Sequence, residues 1–169
     1  MAHWTLRLLK HRLHDERDAR RVLAKDALAR IEARVAASEQ RHSGEIRVVV
    51  EAGLPLSYLR RAATPRDRAV ALFGKLGVWD TERNNGVLIY LLLAEHAIEI
   101  VADRGLDRRV DAGEWARIAA SMQGAFQGGD FEGGLLRAVD AVDALLVRHF
   151  ARQAGDGDVN ELPDAPLVR

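Results

Sequence analysis

Asn84-Asn-Gly-Val-Leu-Ile-Tyr-Leu-Leu-Leu-Ala-Glu-His-Ala-Ile-Glu-Ile-Val-Ala102 decides the fold of this chain. It opens with two residues that tolerate positive φ and a glycine that prefers it, which marks a turn. Residues 87–93 are apolar without alternation, the pattern of a strand covered on both faces and therefore central. A tight turn near Glu95-His96 leads into another strand over 97–102. So short a connection permits only an antiparallel hairpin.

Upstream, Glu45-Ile-Arg-Val-Val-Val50 alternates briefly and then turns wholly apolar, a first and interior strand. Gly53 and Pro55 open a loop. Thr64-Pro65-Arg66-Asp67 then combines an N-cap, a proline at the first helical position and an acid at the third, and predicts a helix that ends near Gly77. Strand, helix and strand in one sheet make a right-handed crossover with the two strands parallel. The hairpin partner runs against them, so the class is α/β with a small mixed sheet.

Further out, residues 15–40 repeat Ala24, Leu28, Ile31 and Val35 at helical steps, and Ser43-Gly44 ends the pattern. Asp111-Ala-Gly-Glu114 reads as a capping box ahead of Trp115, Ile118, Met122 and Phe126. After Gly128-Gly129, a last helix over 131–150 lines up Leu135, Val139, Val142, Leu146 and Phe150. Residues 151–169 read as a flexible acidic tail. Residues 1–17 form a basic amphipathic leader, with Arg7, Lys10 and Arg12 beside Trp4, Leu6, Leu9 and Leu13 and no acid before Asp15. Two uses suit such a segment: peripheral contact of residues 1–14 with a membrane surface, or leucines packed on the domain or a partner.

Composition narrows the function. The 169 residues suit one domain, and 25 basic against 25 acidic side chains leave no net charge to drive nucleic-acid binding. The absence of cysteine excludes thiol catalysis, thiolate metal sites and disulfides. The apolar run 87–94 is far short of the ~20 residues a spanning helix needs, and the first ten residues lack a signal-peptide core. A cytoplasmic protein is expected.

The expected topology gathers polar groups on one sheet rim. Glu45 opens the first strand, Asn85-Gly86 opens the second and Asp103 ends the third, with the loop from Asp80 to Asn84 and the turn from Arg104 to Asp107 beside them. Carboxylates, amides and main-chain carbonyls suit Ca2+ or Mg2+. Zinc is less suited, since no histidine pair stands at ligand spacing there. Candidate ligands are Glu45, Asp80, Asn84, Asn85 and Asp103. The same residues could instead satisfy turn backbone groups, with Glu45 paired to an arginine. No Gly-x-Ser-x-Gly elbow, P-loop or dinucleotide fingerprint occurs. His42 and His149 stand alone in the sequence.

Ser43-Gly-Glu-Ile-Arg-Val-Val-Val50, Asp80-Thr-Glu-Arg-Asn-Asn-Gly-Val-Leu-Ile-Tyr90, Ile98-Glu-Ile-Val-Ala-Asp-Arg-Gly-Leu106, Trp115 and the stretch from Phe126 to Gly133-Gly-Leu135 together resemble the TPM domain. That family is named for a thylakoid lumen protein, a photosystem II repair protein and an acetylcholine-receptor modulator. The likeness covers residues 18–150 and points to a short bacterial branch without signal peptide or membrane helix. His149-Phe150-Ala151 departs from the family's His-Phe-Pro at that helix end. The resemblance implies a three-layer α/β/α sandwich, divalent-cation binding with Glu45, Asn85-Gly86 and Asp103 at the family's positions, and a partner such as a LemA-type membrane protein. It also implies an alternative, a metal-assisted phosphomonoesterase. In that reading Asp103 and Glu45 serve as metal ligands or nucleophile, and Arg83 or Arg104 holds the phosphate.

Overall fold

The computed structural model describes residues 2–153 and 160–169, with side chains from Thr5 onward. In chain order the elements are α1 (Ala2–Arg12), α2 (Glu16–Val22), α3 (Lys25–Glu39), β1 (Ile46–Glu51), α4 (Leu56–Arg60), α5 (Pro65–Lys75), β2 (Val87–Leu92), β3 (Ala97–Ala102), α6 (Arg104–Asp107), α7 (Ala112–Gln127), α8 (Phe131–Phe150) and β4 (Leu167–Val168). The sheet order is β3-β2-β1-β4. β1 runs parallel to β2 and to β4, and β2 runs antiparallel to β3. This is the mixed sheet expected from the strand–helix–strand–strand order.

Both faces of the sheet are covered, which is why β1 and β2 are buried along their whole lengths. On one face α2, α3, α7 and α8 pack over Ile46, Val48, Val50, Val87, Ile89 and Leu91. On the other, Leu59 of α4 and Ala69 and Leu72 of α5 cover Val49, Leu88, Tyr90 and Leu92. The result is a three-layer sandwich. On that second face Arg68 of α5 grips Glu51 through Nε at 2.8 Å and Nη2 at 2.5 Å, and the Tyr90 hydroxyl donates to the same carboxylate at 2.8 Å. Burial and the neighbouring Glu51 charge hold the Tyr90 phenol protonated well past its usual range.

Thr64 caps α5 as expected, with Asp67 completing a reciprocal capping box. Three expectations need correction. The helical pattern over 15–40 is two helices: Asp15 caps α2, and an extended Ala24 separates it from α3. The bend lets Ala19 and Leu23 as well as Ala27 and Ile31 reach the sheet. Asp111 caps α7 through the Gly113 N–H, and no return bond from Glu114 completes the box there. The third correction concerns 151–169, expected as a flexible tail. Residues 160–169 lie against the sheet as a strap that ends in β4, with Arg169 N–H donating to Val50 O at 2.9 Å and Ala52 N–H to Arg169 O at 2.9 Å. The half-hidden reason is Arg47. Buried on β1, it donates to the carbonyls of Pro163 at 2.7 Å and Ala165 at 2.6 Å. The part of the acid-rich stretch over 154–159 lies outside the described residues.

The leader is a helix, α1, held by polar groups. Arg7 Nε meets Glu95 at 2.8 Å, and buried His11 bonds Glu95 through Nε2 at 2.8 Å and accepts the Leu54 N–H on Nδ1 at 3.0 Å. Leu8 turns inward, whereas Leu6, Leu9 and Leu13 stay 64%, 57% and 68% exposed. The leucines named in the sequence therefore do not pack on the domain. The side chains of His3 and Trp4 lie outside the described residues.

Candidate functional site

Strand register builds the rim. Ile46 stands opposite Val87, and Val87 opposite Ala102, so one step further out Glu45, Gly86 and Asp103 form a row across three strands. Two bonds fix that row: Val87 N–H to Glu45 O at 2.8 Å and Asp103 N–H to Gly86 O at 2.8 Å. Successive strands lie ~4.8 Å apart, so the two acidic residues are about 10 Å apart at the backbone. The topology therefore does bring Glu45 and Asp103 to one edge.

Their side chains have different employment. Glu45 is buried beneath the C-terminal strap, where its Oε2 accepts the Leu162 N–H at 3.1 Å. Burial raises its pKa, and the backbone N–H groups of Glu161 and Leu162 oppose that rise. It clasps the strap rather than facing solvent or pairing with an arginine. Asp103 caps α6, its Oδ1 accepting the Arg104 N–H at 2.7 Å, while its Oδ2 is buried with no hydrogen-bond partner. Asn85 is fully buried; its Nδ2 donates to Ser43 O at 3.0 Å, which fixes the orientation of the amide, and its Oδ1 has no partner.

The remaining candidates surround these two. Asn84, at positive φ, closes the turn, and its Oδ1 accepts Arg104 Nε at 3.1 Å. Arg83 Nη1 donates to Ser43 Oγ at 3.1 Å. Asp80 is exposed on the loop that leaves α5. The rim glycines serve close packing: a Cβ on Gly86 would collide with Val78 O, and one on Gly105 with Asn84 O. Among the described residues no three His, Asp or Glu side chains converge as a metal-holding cluster. What the rim offers is two orphaned hard oxygens, on Asn85 and Asp103. Beside it lies an open cleft of 670 Å³ lined by Glu82, Arg83, Asn84, Arg109, Arg148 and His149.

Two features escape a reading of the sequence. Ser43, read there as a helix stop, is a hub that takes bonds from both Arg83 and Asn85. His42, apparently alone, is fully buried between Ser38 Oγ at 2.8 Å and Asp143 Oδ1 at 3.6 Å, and its Nδ1 accepts the Gly44 N–H at 3.2 Å. Serine and aspartate face the same ring nitrogen, so no relay of the hydrolase kind exists. Burial drives His42 down to about 4, against the pull of Asp143. It is a neutral structural pin. His42 and Asp143 are 101 positions apart, so no local signal announces the contact.

Residues 17–145, most of the chain, match the family described as TPM domain. The chain belongs to the TPM domain family. Among solved structures, the BA42 protein of the psychrophilic bacterium Bizionia argentinensis is similar over 86% of this chain and 94% of its own, with 27% identity and a TM-score of 0.74. The N-terminal domain of a P. gingivalis protein covers 78% of this chain and 83% of its own, with 24% identity and a TM-score of 0.61, and shares the fold. So does the N-terminal domain of the cg2496 protein of Corynebacterium glutamicum, which covers 80% of this chain and 78% of its own, at 12% identity and a TM-score of 0.53. No curated protein matches the sequence. Within the described residues of this TPM domain no helix is long and apolar enough to cross a membrane.

Proposed function

We propose that this TPM domain holds one divalent cation, Ca2+ or Mg2+, on its rim and acts through a protein partner as a cation-dependent binding module. The observation that supports the reading is the pair of buried, unpartnered oxygens, Asn85 Oδ1 and Asp103 Oδ2. Each such group costs about 1–3 kcal/mol when it is left without a donor, and a hard cation takes oxygen ligands of both kinds. The donor set fits in kind, a carboxylate and an amide. With only two side chains committed, the ion would keep water or backbone carbonyls in its other positions, and those positions are where a partner's carboxylate can bind. Asp80 and Glu45, also candidates from the sequence, are less well suited, one exposed and the other holding the strap.

The partner class implied by the resemblance is a LemA-type membrane protein. In this reading the protein is cytoplasmic and approaches the inner membrane face, with Leu6, Leu9 and Leu13 of α1 resting on lipid beside Lys10 and Arg12. Calorimetric titration with Ca2+ and with Mg2+ tests the cation. Asp103→Asn keeps an oxygen for the Arg104 N–H and removes the charge, so it should weaken binding at least tenfold with little change in melting temperature. Absence of binding by the unaltered protein at millimolar cation defeats the proposal.

The arginine-lined cleft favours the second reading, a metal-assisted phosphomonoesterase, because Arg83 reaches it. Against it, Arg104 is bonded to Asn84 and Asp103 caps a helix. Chromogenic phosphate hydrolysis that needs the cation and disappears in Asp103→Asn would establish the enzyme; hydrolysis unchanged by the substitution marks a contaminant.

A further inference from the structure

β3 is an edge strand, and its outer side is open in a specific way. Because Asp103 donates to Gly86 O at 2.8 Å, the pairs 103–86, 101–88, 99–90 and 97–92 are the directly bonded ones in the antiparallel ladder. The N–H and C=O groups of Ile98, Ile100 and Ala102 therefore point away from β2. The Arg66 guanidinium confirms the direction, since it reaches across the edge to the Ile100 carbonyl. Among the described residues, no turn, loop or other side-chain bond reaches the outward groups of Ile98 and Ala102.

Beside this edge runs a groove. A cavity of 280 Å³ is lined by Ile98, Ile100, Trp115, Ala119 and Met122, and another of 240 Å³ shares Ile98, Glu99 and Ala119 with it. Together they follow the strand for most of its length. Trp115 Nε1 is buried on this side with no acceptor. The adjoining face of α7 is uncharged and small, with Ala116, Ala119, Ala120 and Gly124 exposed.

We propose that the outer edge of β3, with the groove against α7, docks an extended segment of a partner protein as an added strand. Unpaired N–H and C=O groups at strand spacing specify an extended backbone and nothing else. Helices pack on both sides of β3, α7 on one face and α5 on the other. A second copy of this chain would bring its own two helices to the junction, so pairing at ~4.8 Å would require all four helices to fit beside one another. A slender segment meets no such obstacle. Its groove-facing positions would be apolar, seated between Ile98, Trp115 and Met122, with a hydroxyl or carbonyl for the indole N–H. A basic residue would stand opposite Glu99, in place of Arg66, whose guanidinium lies 3.7 Å from that carboxylate.

The proposal concerns the partner alone, and its test runs in chelator so that it stands apart from the rim cation. The probe is a terminally blocked peptide of alternating valine and threonine, with one phenylalanine facing the groove and one arginine facing Glu99. It is titrated into isotope-labelled protein and followed by amide spectra and hydrogen exchange. The expected result is protection of the Ile98 and Ala102 amides by at least tenfold. Ala119→Glu, on the exposed side of α7, should weaken binding about tenfold without lowering the melting temperature. A peptide with its edge-facing backbone nitrogens methylated should not bind. Binding that survives methylation, shifts confined to α7, protection of the same amides by self-association, or no shift at millimolar peptide would each overturn the proposal.

Discussion

Replacing Glu39 with glutamine should reduce a loss of stability that the unaltered protein suffers above pH 6. Glu39 sits at the end of α3, accepts the Ile46 N–H at 2.9 Å and faces the carboxylates of Glu45 and Asp164. Burial, with help from those two charges, pushes its pKa from the ordinary 4.5 to about 8. In the unfolded chain the proton leaves near 4.5; in the folded protein it stays until about 8. The folded state therefore holds more protons throughout this window, and stability falls as pH rises through it. Between pH 6 and 8 the loss from Glu39 is about 2 kcal/mol. His42 works in the opposite direction, because its folded pKa of about 4 lies below the ordinary 6.5, so raising the pH from 4 to 6.5 adds stability. The two slopes oppose each other from 4.5 to 6.5, and above that the Glu39 loss continues, with the burial-raised Glu45 and Glu99 carboxyls acting in the same direction in both proteins. Glutamine keeps an oxygen for the Ile46 N–H and has no proton to lose. Thermal melts at pH 6 and pH 8 should show the unaltered protein dropping about 6 °C further than Glu39→Gln, taking ~3 °C per kcal/mol at this chain length. Equal drops in the two proteins would refute the argument.

The other predictions rest on different contacts. Glu51→Ala leaves the Arg68 guanidinium and the Tyr90 hydroxyl buried without their acceptor and should cost about 3–5 kcal/mol in urea unfolding, whereas a loss under 1 kcal/mol would mean water enters freely. Arg47→Met removes two charge-assisted bonds to the strap and should cost about 2 kcal/mol, read as faster proteolytic cleavage within 160–169; an unchanged cleavage rate counts against the strap's dependence on Arg47. Leu9→Asp should abolish sedimentation with anionic vesicles at about 1 mM lipid while the melting temperature stays put; equal sedimentation of both proteins would remove lipid from the account of α1.

Periodicity carried the fold a long way. The apolar run at β2, the hairpin to β3, the Thr64-Pro65 helix start and the α8 stripe are each local patterns, and the structure contains them with ends shifted by a residue or two. Local pattern failed where a partner distant in sequence decides the outcome. Nothing near Leu167 predicts a strand, because β4 depends on partners over a hundred residues earlier, the Arg47 side chain and the outer edge of β1. The leader's leucines suggested an inward face, yet Arg7 and His11 found Glu95 and turned that face outward. At the rim, the row of Glu45, Gly86 and Asp103 could be read from topology. Which carboxylate oxygen stays unused could not, since that depends on Leu162 and Arg104 arriving as donors.

The strap has a further consequence for stoichiometry. By lying along β1 at Val49 and Val50, the two-residue β4 becomes the second edge of the sheet, opposite the six-residue edge of β3. A two-residue strand offers an incoming segment too short a ladder to hold it, whereas β3 offers a full edge. Removing residues 160–169 would bare the outer edge of all six residues of β1, so that the same sheet could take up an extended segment on either side.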